Sequence, residues 1–166
     1  LKLIALDKTG TLTEGKPVVT DFIVYDKKQP KEHFLLLAAS LDSHSEHPVA
    51  HALVEYWRQN QPNESLLEVE QFSALPGRGV QGIVGQELYY VGNHQLAEDN
   101  KVCSLAVEQE LKRLEEEGKT TVILSNSSVV LAIFAVADTL RAKSKWAIDM
   151  LHQQGLKTAM YKAFCF

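Results

Sequence analysis

The 166-residue sequence predicts an α+β domain, an antiparallel sheet with flanking helices, inserted into a partial doubly wound α/β domain. Three observations carry this reading. Residues 1–16 open on the apolar strand Leu3-Ile4-Ala5-Leu6, and residues 134–166 read strand, helix, strand, the order of a parallel sheet with a helical crossover. Residues 17–133 hold several short strands mixed with helices, among them a hairpin around Gly85-Gln86. Apolar residues make up 45% and charged residues 23%, enough to build a core under an ordinary polar surface.

The elements follow from local patterning. After the Leu3–Leu6 strand, residues 17–25 gather Val18, Val19, Phe22, Ile23 and Val24 and predict a second strand. Lys27-Lys28-Gln29-Pro30 is a turn, and residues 32–41 place Phe34, Leu35, Leu37, Ala38 and Leu41 on one helical face. Pro48 suits the first position of the next helix, with His47 as its cap, and that helix runs to about Gln59. Residues 67–72 predict a strand, Pro76-Gly77-Arg78-Gly79 a tight turn, and residues 80–84 and 88–91 the hairpin. Residues 97–101 read as a polar loop, Ser104 caps a helix, and Gly118 ends it. Residues 120–124 and 129–136 are strands, 141–154 an amphipathic helix, and 156–160 the start of a further strand.

Composition excludes several function classes. The formal net charge of −4 gives no basic footprint for nucleic acid. The two cysteines, Cys103 and Cys165, form no CxxC pair and suggest neither a disulfide framework nor a zinc ribbon. No stretch reaches the roughly 18 apolar residues of a membrane-spanning helix, and no signal peptide is visible. The chain starts at Leu1, inside a strand, and is expected to be a piece of a larger protein.

The strongest chemical signal is Asp7-Lys8-Thr9-Gly10-Thr11-Leu12-Thr13, directly behind the first strand. A carboxylate at a strand's end is a competent nucleophile for phosphoryl transfer through an aspartyl phosphate. Lys8 neutralises phosphate charge, and Gly10 lets backbone N–H groups turn toward an anion. An isolated Asp-x-x-Gly is usually only a turn; seven consecutive matching residues after a buried strand are far more specific.

The middle region carries weaker signals. Ser45-Glu46-His47-Pro48 lies at a helix start, where unpaired N–H groups suit hydrogen-bonding ligands. His47 can stack on a purine and Glu46 can accept from an exocyclic amine; the plain alternative is a capping motif with a surface histidine. Metal is a further alternative, because His44, His47 and His51 stand three and four residues apart. Pro48 weakens it by leaving His44 outside the helix. Gly77 and Gly79 allow close backbone approach of a nucleotide, and Asn93 after Gly92 can bond a ribose or phosphate; each is otherwise a turn.

Taken together, the Asp7 motif, Glu46-His47-Pro48, Gly77-x-Gly79 and Gly92-Asn93 resemble the heavy-metal-transporting P-type ATPases, over about residues 1–160. The resemblance implies a haloacid-dehalogenase-like phosphorylation domain in segments 1–16 and 134–166, with a nucleotide-binding domain at 17–133. It implies ATP and Mg²⁺ as cofactors, with Asp7, Lys8 and Thr9 as catalytic residues and Asp7 and Thr9 as magnesium ligands. Glu46, His47, Gly77, Gly79 and Asn93 then contact ATP, with Gly92 as a motif neighbour. The implied setting is the cytoplasmic face of a membrane protein, beside transmembrane and actuator domains of the same parent chain. Residues 92–114 favour the zinc, cadmium and lead branch over copper, although selectivity lies in transmembrane residues. Asp138-Thr139-Leu140-Arg141 resembles the family's re-entry into the phosphorylation domain; there Asp138 supports the Asp7 loop, or else caps a helix.

The sequence departs from the family after Met160. The family's Thr-Gly-Asp, later lysine and Gly-Asp-Gly-x-x-Asn-Asp segments do not follow, and the chain reads Tyr161-Lys162-Ala163-Phe164-Cys165-Phe166. These 166 residues are therefore expected to bind adenine nucleotide with little or no turnover. Two rivals stand beside this reading: a non-catalytic metal-binding regulatory module built on the three histidines, and a soluble aspartate-dependent phosphatase. Such phosphatases often carry a second Asp two residues after the nucleophile, where this chain has Thr9.

Overall fold

The computed structural model describes residues 3–7 and 13–161. They form two compact units, one from residues 1–17 and 138–166 and the other from 18–137. The element order is β1 (Leu3–Asp7), β2 (Thr13–Val24), α1 (Lys31–Asp42), α2 (Pro48–Asn60), β3 (Glu70–Leu75), β4 (Gly79–Val84) and β5 (Glu87–Gly92). It continues with α3 (His94–Asp99), α4 (Leu105–Glu116), β6 (Thr120–Asn126), β7 (Val130–Leu140), α5 (Ala142–Gln153) and β8 (Lys157–Tyr161).

In the first unit β1 and β8 pair in parallel, from Leu3 opposite Lys157 to Asp7 opposite Tyr161. The crossover helix α5 precedes β8, as parallel pairing requires. Asp7 is thus the last residue of a parallel strand, at the carboxyl end where α/β folds place their ligands. Lys8 and Thr9, and residues 162–166 with Cys165, lie outside the described residues.

The 18–137 unit is built on the six-stranded sheet in the order β2-β7-β6-β5-β4-β3. The pairings from β3 through β7 are antiparallel. Alternate residues of its central strands supply two separate cores. Val122, Leu124, Phe134 and Val136 point to one side and pack with Phe34, Leu37, Leu41, Leu53 and Trp57 of α1 and α2. Ile123, Ile133 and Ala135 point to the other and pack with Val107, Leu111 and Leu114 of α4. The period of two along β6 and β7 therefore makes a helix–sheet–helix sandwich.

The hairpin turn is as the sequence reads it: Gly85 and Gln86 both have positive φ, +57° and +76°, as a tight turn with right-handed twist demands. Two local expectations change. The strand expected at 67–72 runs instead from Glu70 to Leu75 and carries a bulge between Glu70 and Ser73, in which Gln71 takes φ +50°. Part of the loop expected at 97–101 is helical, in the short helix α3.

Candidate functional site

Helix α2 starts as its sequence dictates. His47 is extended (φ −71°, ψ 137°), Pro48 takes the first helical position, and His47 Nδ1 accepts a hydrogen bond from Val49 N at 3.2 Å. The backbone N of His47 donates to Ser45 Oγ at 3.3 Å. While Nδ1 accepts, the neutral ring carries its proton on Nε2, so the exposed edge of His47 is a donor. The side chain of Glu46 is fully solvent-exposed, and its carboxylate lies 3.8 Å from His51 Nε2. The preceding loop rests on β3, because the His44 ring packs on Phe72 with centroids 5.0 Å apart.

A second constellation gathers at the mouth of the β4–β5 hairpin. Leu75-Pro76-Gly77-Arg78 closes a turn with Arg78 N donating to Leu75 O at 2.9 Å and Gly77 at φ +69°. Pro at the second and Gly at the third position is the pattern of a type II turn. Asn93 clasps this turn: its N donates to Arg78 O at 2.8 Å and its Nδ2 to Gly77 O at 2.9 Å. Its Oδ1 accepts from Leu96 N at 3.1 Å and caps α3. Arg78 Nε reaches Asp99 at the far end of α3, 3.0 Å away.

The three glycines do different work. Gly79 pairs with Gly92 across the β4–β5 ladder. A Cβ on Gly79 would meet Val91 O at 2.1 Å, and one on Gly92 would meet Arg78 O at 2.3 Å. Both are glycine because two backbones touch there. A Cβ on Gly77 would meet nothing within 4 Å, so only its positive φ favours glycine, and the space beside it is open.

Gly77, Gly79, Gly92 and Asn93 are therefore brought together by hydrogen bonds and strand register. Glu46 and His47 stand on a separate loop, and among the described residues they make no hydrogen bond or ion pair with the glycine turn. His44, His47 and His51 are each engaged elsewhere, with Phe72, Val49 N and Glu46. The donor atoms that do converge among the described residues belong to His94, Cys103 and Glu108, a trio that sequence spacing does not reveal.

Asp138 lies within β7 and does not cap α5, whose cap position is Arg141. Its Oδ1 accepts from Lys16 N at 3.1 Å, and its Oδ2 accepts from the Thr13 hydroxyl. Arg141 Nε donates to Thr13 O at 2.9 Å. Both residues thus hold the chain where it leaves the Asp7 motif.

Asp42, at the end of α1, is 5% exposed, and burial pushes its carboxyl up to about 7. Cys103 is a partly buried thiol, pushed up to about 11 by burial first and then by the Glu108 carboxylate beside it. No helix of the described residues is long and apolar enough to cross a membrane.

The chain as a whole resembles known proteins. Residues 1–162 match the family described as haloacid dehalogenase-like hydrolase. The chain is 41% identical over 160 residues to a cadmium-transporting ATPase of Staphylococcus aureus, covering 95% of this chain and 22% of that one. It is 37% identical over 157 residues to a copper-exporting P-type ATPase of Staphylococcus haemolyticus, covering 95% and 19%. Among solved structures, a zinc-transporting PIB-type ATPase in its E2.Pi state superposes with a TM-score of 0.77 at 31% identity, over 96% of this chain and 25% of that one. The catalytic domain of the CPx-ATPase CopB-B does so with a TM-score of 0.68 at 26% identity, over 96% and 52%. The chain thus spans about a fifth of the length of the curated relatives it matches. With its parallel β1–β8 pair ending in Asp7 and its inserted antiparallel sheet, the chain belongs to the haloacid dehalogenase-like hydrolases and is homologous to a segment of the heavy-metal P-type ATPases.

Proposed function

We propose that this chain is the ATP-binding segment of a heavy-metal-exporting P-type ATPase, and that residues 46–93 hold the nucleotide. The observation that carries this is the Gly77 turn. Its backbone is fixed by Asn93 through Gly77 O and Arg78 O, and nothing of the protein fills the space where a Gly77 side chain would stand. A rigid, unobstructed backbone edge is what a nucleotide needs for close approach. Glu46 and the Nε2 edge of His47 supply exposed polar groups suited to an adenine ring. Asn93 then acts chiefly as a positioning residue, since its amide already serves Gly77 and Leu96.

In the parent pump, an Asp7 carboxylate oxygen attacks the γ-phosphorus. The bond to the β–γ bridging oxygen breaks, ADP leaves, and water later hydrolyses the aspartyl phosphate to regenerate the carboxylate. Lys8 offsets phosphate charge and Thr9 offers a hydroxyl. The oxygen donors of residues 7 and 9 fit magnesium chemically, and the ion supplies charge neutralisation when bound. The phosphoenzyme cycle would drive zinc, cadmium or copper through transmembrane domains of the parent, with this segment on the cytoplasmic side. The 166 residues by themselves are expected to bind ATP without appreciable hydrolysis.

Titrating ATP against amide resonances of the 166-residue chain tests the reading. The amides of Glu46, His47, Gly77 and Gly79 should shift together, and His47→Gln should weaken binding. Unmoved resonances at these positions, or unchanged affinity in His47→Gln, would overturn it.

A further inference from the structure

We infer that His94, Cys103 and Glu108, with Glu98 as a fourth ligand, form a binding site for a thiophilic divalent cation of the zinc or cadmium type. The site lies on the α3–α4 face of the sheet and shares no residue with residues 46–93.

Three elements build it. His94 is the first residue of α3, Cys103 lies in the connection between α3 and α4, and Glu108 sits in the first turn of α4. One donor atom from each lies within 4.8 Å of the others. His94 Nε2 is 3.0 Å from Glu108 Oε2 and 3.8 Å from Glu98 Oε1, one turn further along α3. Tetrahedral zinc, with bonds of about 2.1 Å to nitrogen and 2.3 Å to sulfur, sets neighbouring ligands about 3.4–3.6 Å apart. Closing the trio on an ion therefore needs roughly 1 Å of side-chain movement.

Donor chemistry selects the ion. One thiolate, one imidazole and two carboxylates suit a borderline-soft metal and do not suit magnesium or calcium, which take all-oxygen shells. The local charge agrees: Glu98 and Glu108 face one thiol and one imidazole, and a dication satisfies both carboxylates at once. On binding, the Cys103 S–H proton leaves to solvent and the sulfur lone pair forms the metal bond; no redox change is involved. The competing account is a plain His94–Glu108 ion pair beside an inert thiol.

The test is a titration of the reduced 166-residue chain with cadmium, followed through the ultraviolet thiolate-to-cadmium charge-transfer band, with zinc as competitor. One equivalent should bind, zinc should abolish the band, and Cys103→Ser should eliminate it while Cys165→Ser keeps it. His94→Ala and Glu108→Gln should each weaken binding by at least about tenfold, the scale on which even outer partners of a metal act. The double variant His44→Ala/His51→Ala should bind as the parent chain does. Circular dichroism of each variant verifies folding, and Glu108→Gln keeps side-chain shape if Cys103→Ser does not fold. A band that survives Cys103→Ser, or affinity unchanged in both His94→Ala and Glu108→Gln, overturns the site. So does binding that depends on His44 and His51.

Discussion

Asn93 donates from Nδ2 to Gly77 O at 2.9 Å while its Oδ1 caps Leu96 N at 3.1 Å. One side chain thus starts helix α3 and fixes the turn beside the proposed nucleotide site. Asp at this position keeps the capping oxygen and replaces the donor with a second acceptor facing a carbonyl. Asn93→Asp should therefore retain α3 and lose nucleotide affinity. Asn93→Ala should lose both, with about 1 kcal/mol of stability from the missing cap. Thermal unfolding read beside ATP titration separates the two effects.

The glycines give a sharper discrimination. A Cβ at Gly79 or Gly92 falls 2.1–2.3 Å from a backbone oxygen, and neither backbone can retreat without opening the β4–β5 ladder. Gly79→Ala and Gly92→Ala should each cost about 3 kcal/mol or more, because the added Cβ meets backbone that cannot rotate away. Gly77→Ala meets no atom and pays only for φ +69°, roughly 1–2 kcal/mol. It should fold and bind ATP less well. If Gly77→Ala folds and binds normally, the turn is only a turn.

Asp42 sets a pH dependence. Its carboxyl ionises near 3.8 in the unfolded chain and near 7 when buried. Between those values the folded protein holds a proton that the unfolded chain has released. Stability should therefore fall as pH rises from about 4 to 7 and level off above, by up to a few kcal/mol at roughly 1.4 kcal/mol per unit. Asp42→Asn should flatten that slope and be more stable than the parent chain at pH 8. Denaturant unfolding across the pH range measures both.

Much of this architecture is legible in sequence because single residues force it. Pro48 after a polar residue fixes the start of α2, and Gly85-Gln86 between alternating strands fixes the hairpin. Helix α3 is not legible, since six residues make under two turns and show no apolar period. The start of β3 is displaced because Leu67 and Val69 pack on the core without strand pairing, the Leu67 N–H going to Ser40 Oγ. In the site, the sequence shows that Gly77, Gly79 and Gly92 are glycines and cannot show what stands opposite each. His94, Cys103 and Glu108 come from three elements joined only by the fold, so no motif spacing announces them.

Asp138 offers a test confined to the first unit. One carboxylate oxygen accepts from Lys16 N at 3.1 Å, the other from the buried Thr13 hydroxyl, and Arg141 holds Thr13 O. An amide has only one acceptor oxygen. Asp138→Asn therefore turns an N–H₂ toward either the Lys16 N–H or the Thr13 hydroxyl. With the amide against Lys16, two donors face each other at an exposed site, at a cost of about 1 kcal/mol; with the amide against Thr13, the hydroxyl turns to accept and the Lys16 bond is kept. Thr13→Val removes the buried hydroxyl and leaves the Lys16 bond intact, so the Lys16 amide should keep its protection. Asp138→Ala removes both acceptors, and amide hydrogen exchange reads the loss: the Lys16 amide should exchange faster, with amides of β4, β5 and β6 unchanged. Equal loss of protection across β4–β6 would show instead that Asp138 supports the whole chain and not the segment that follows the Asp7 motif.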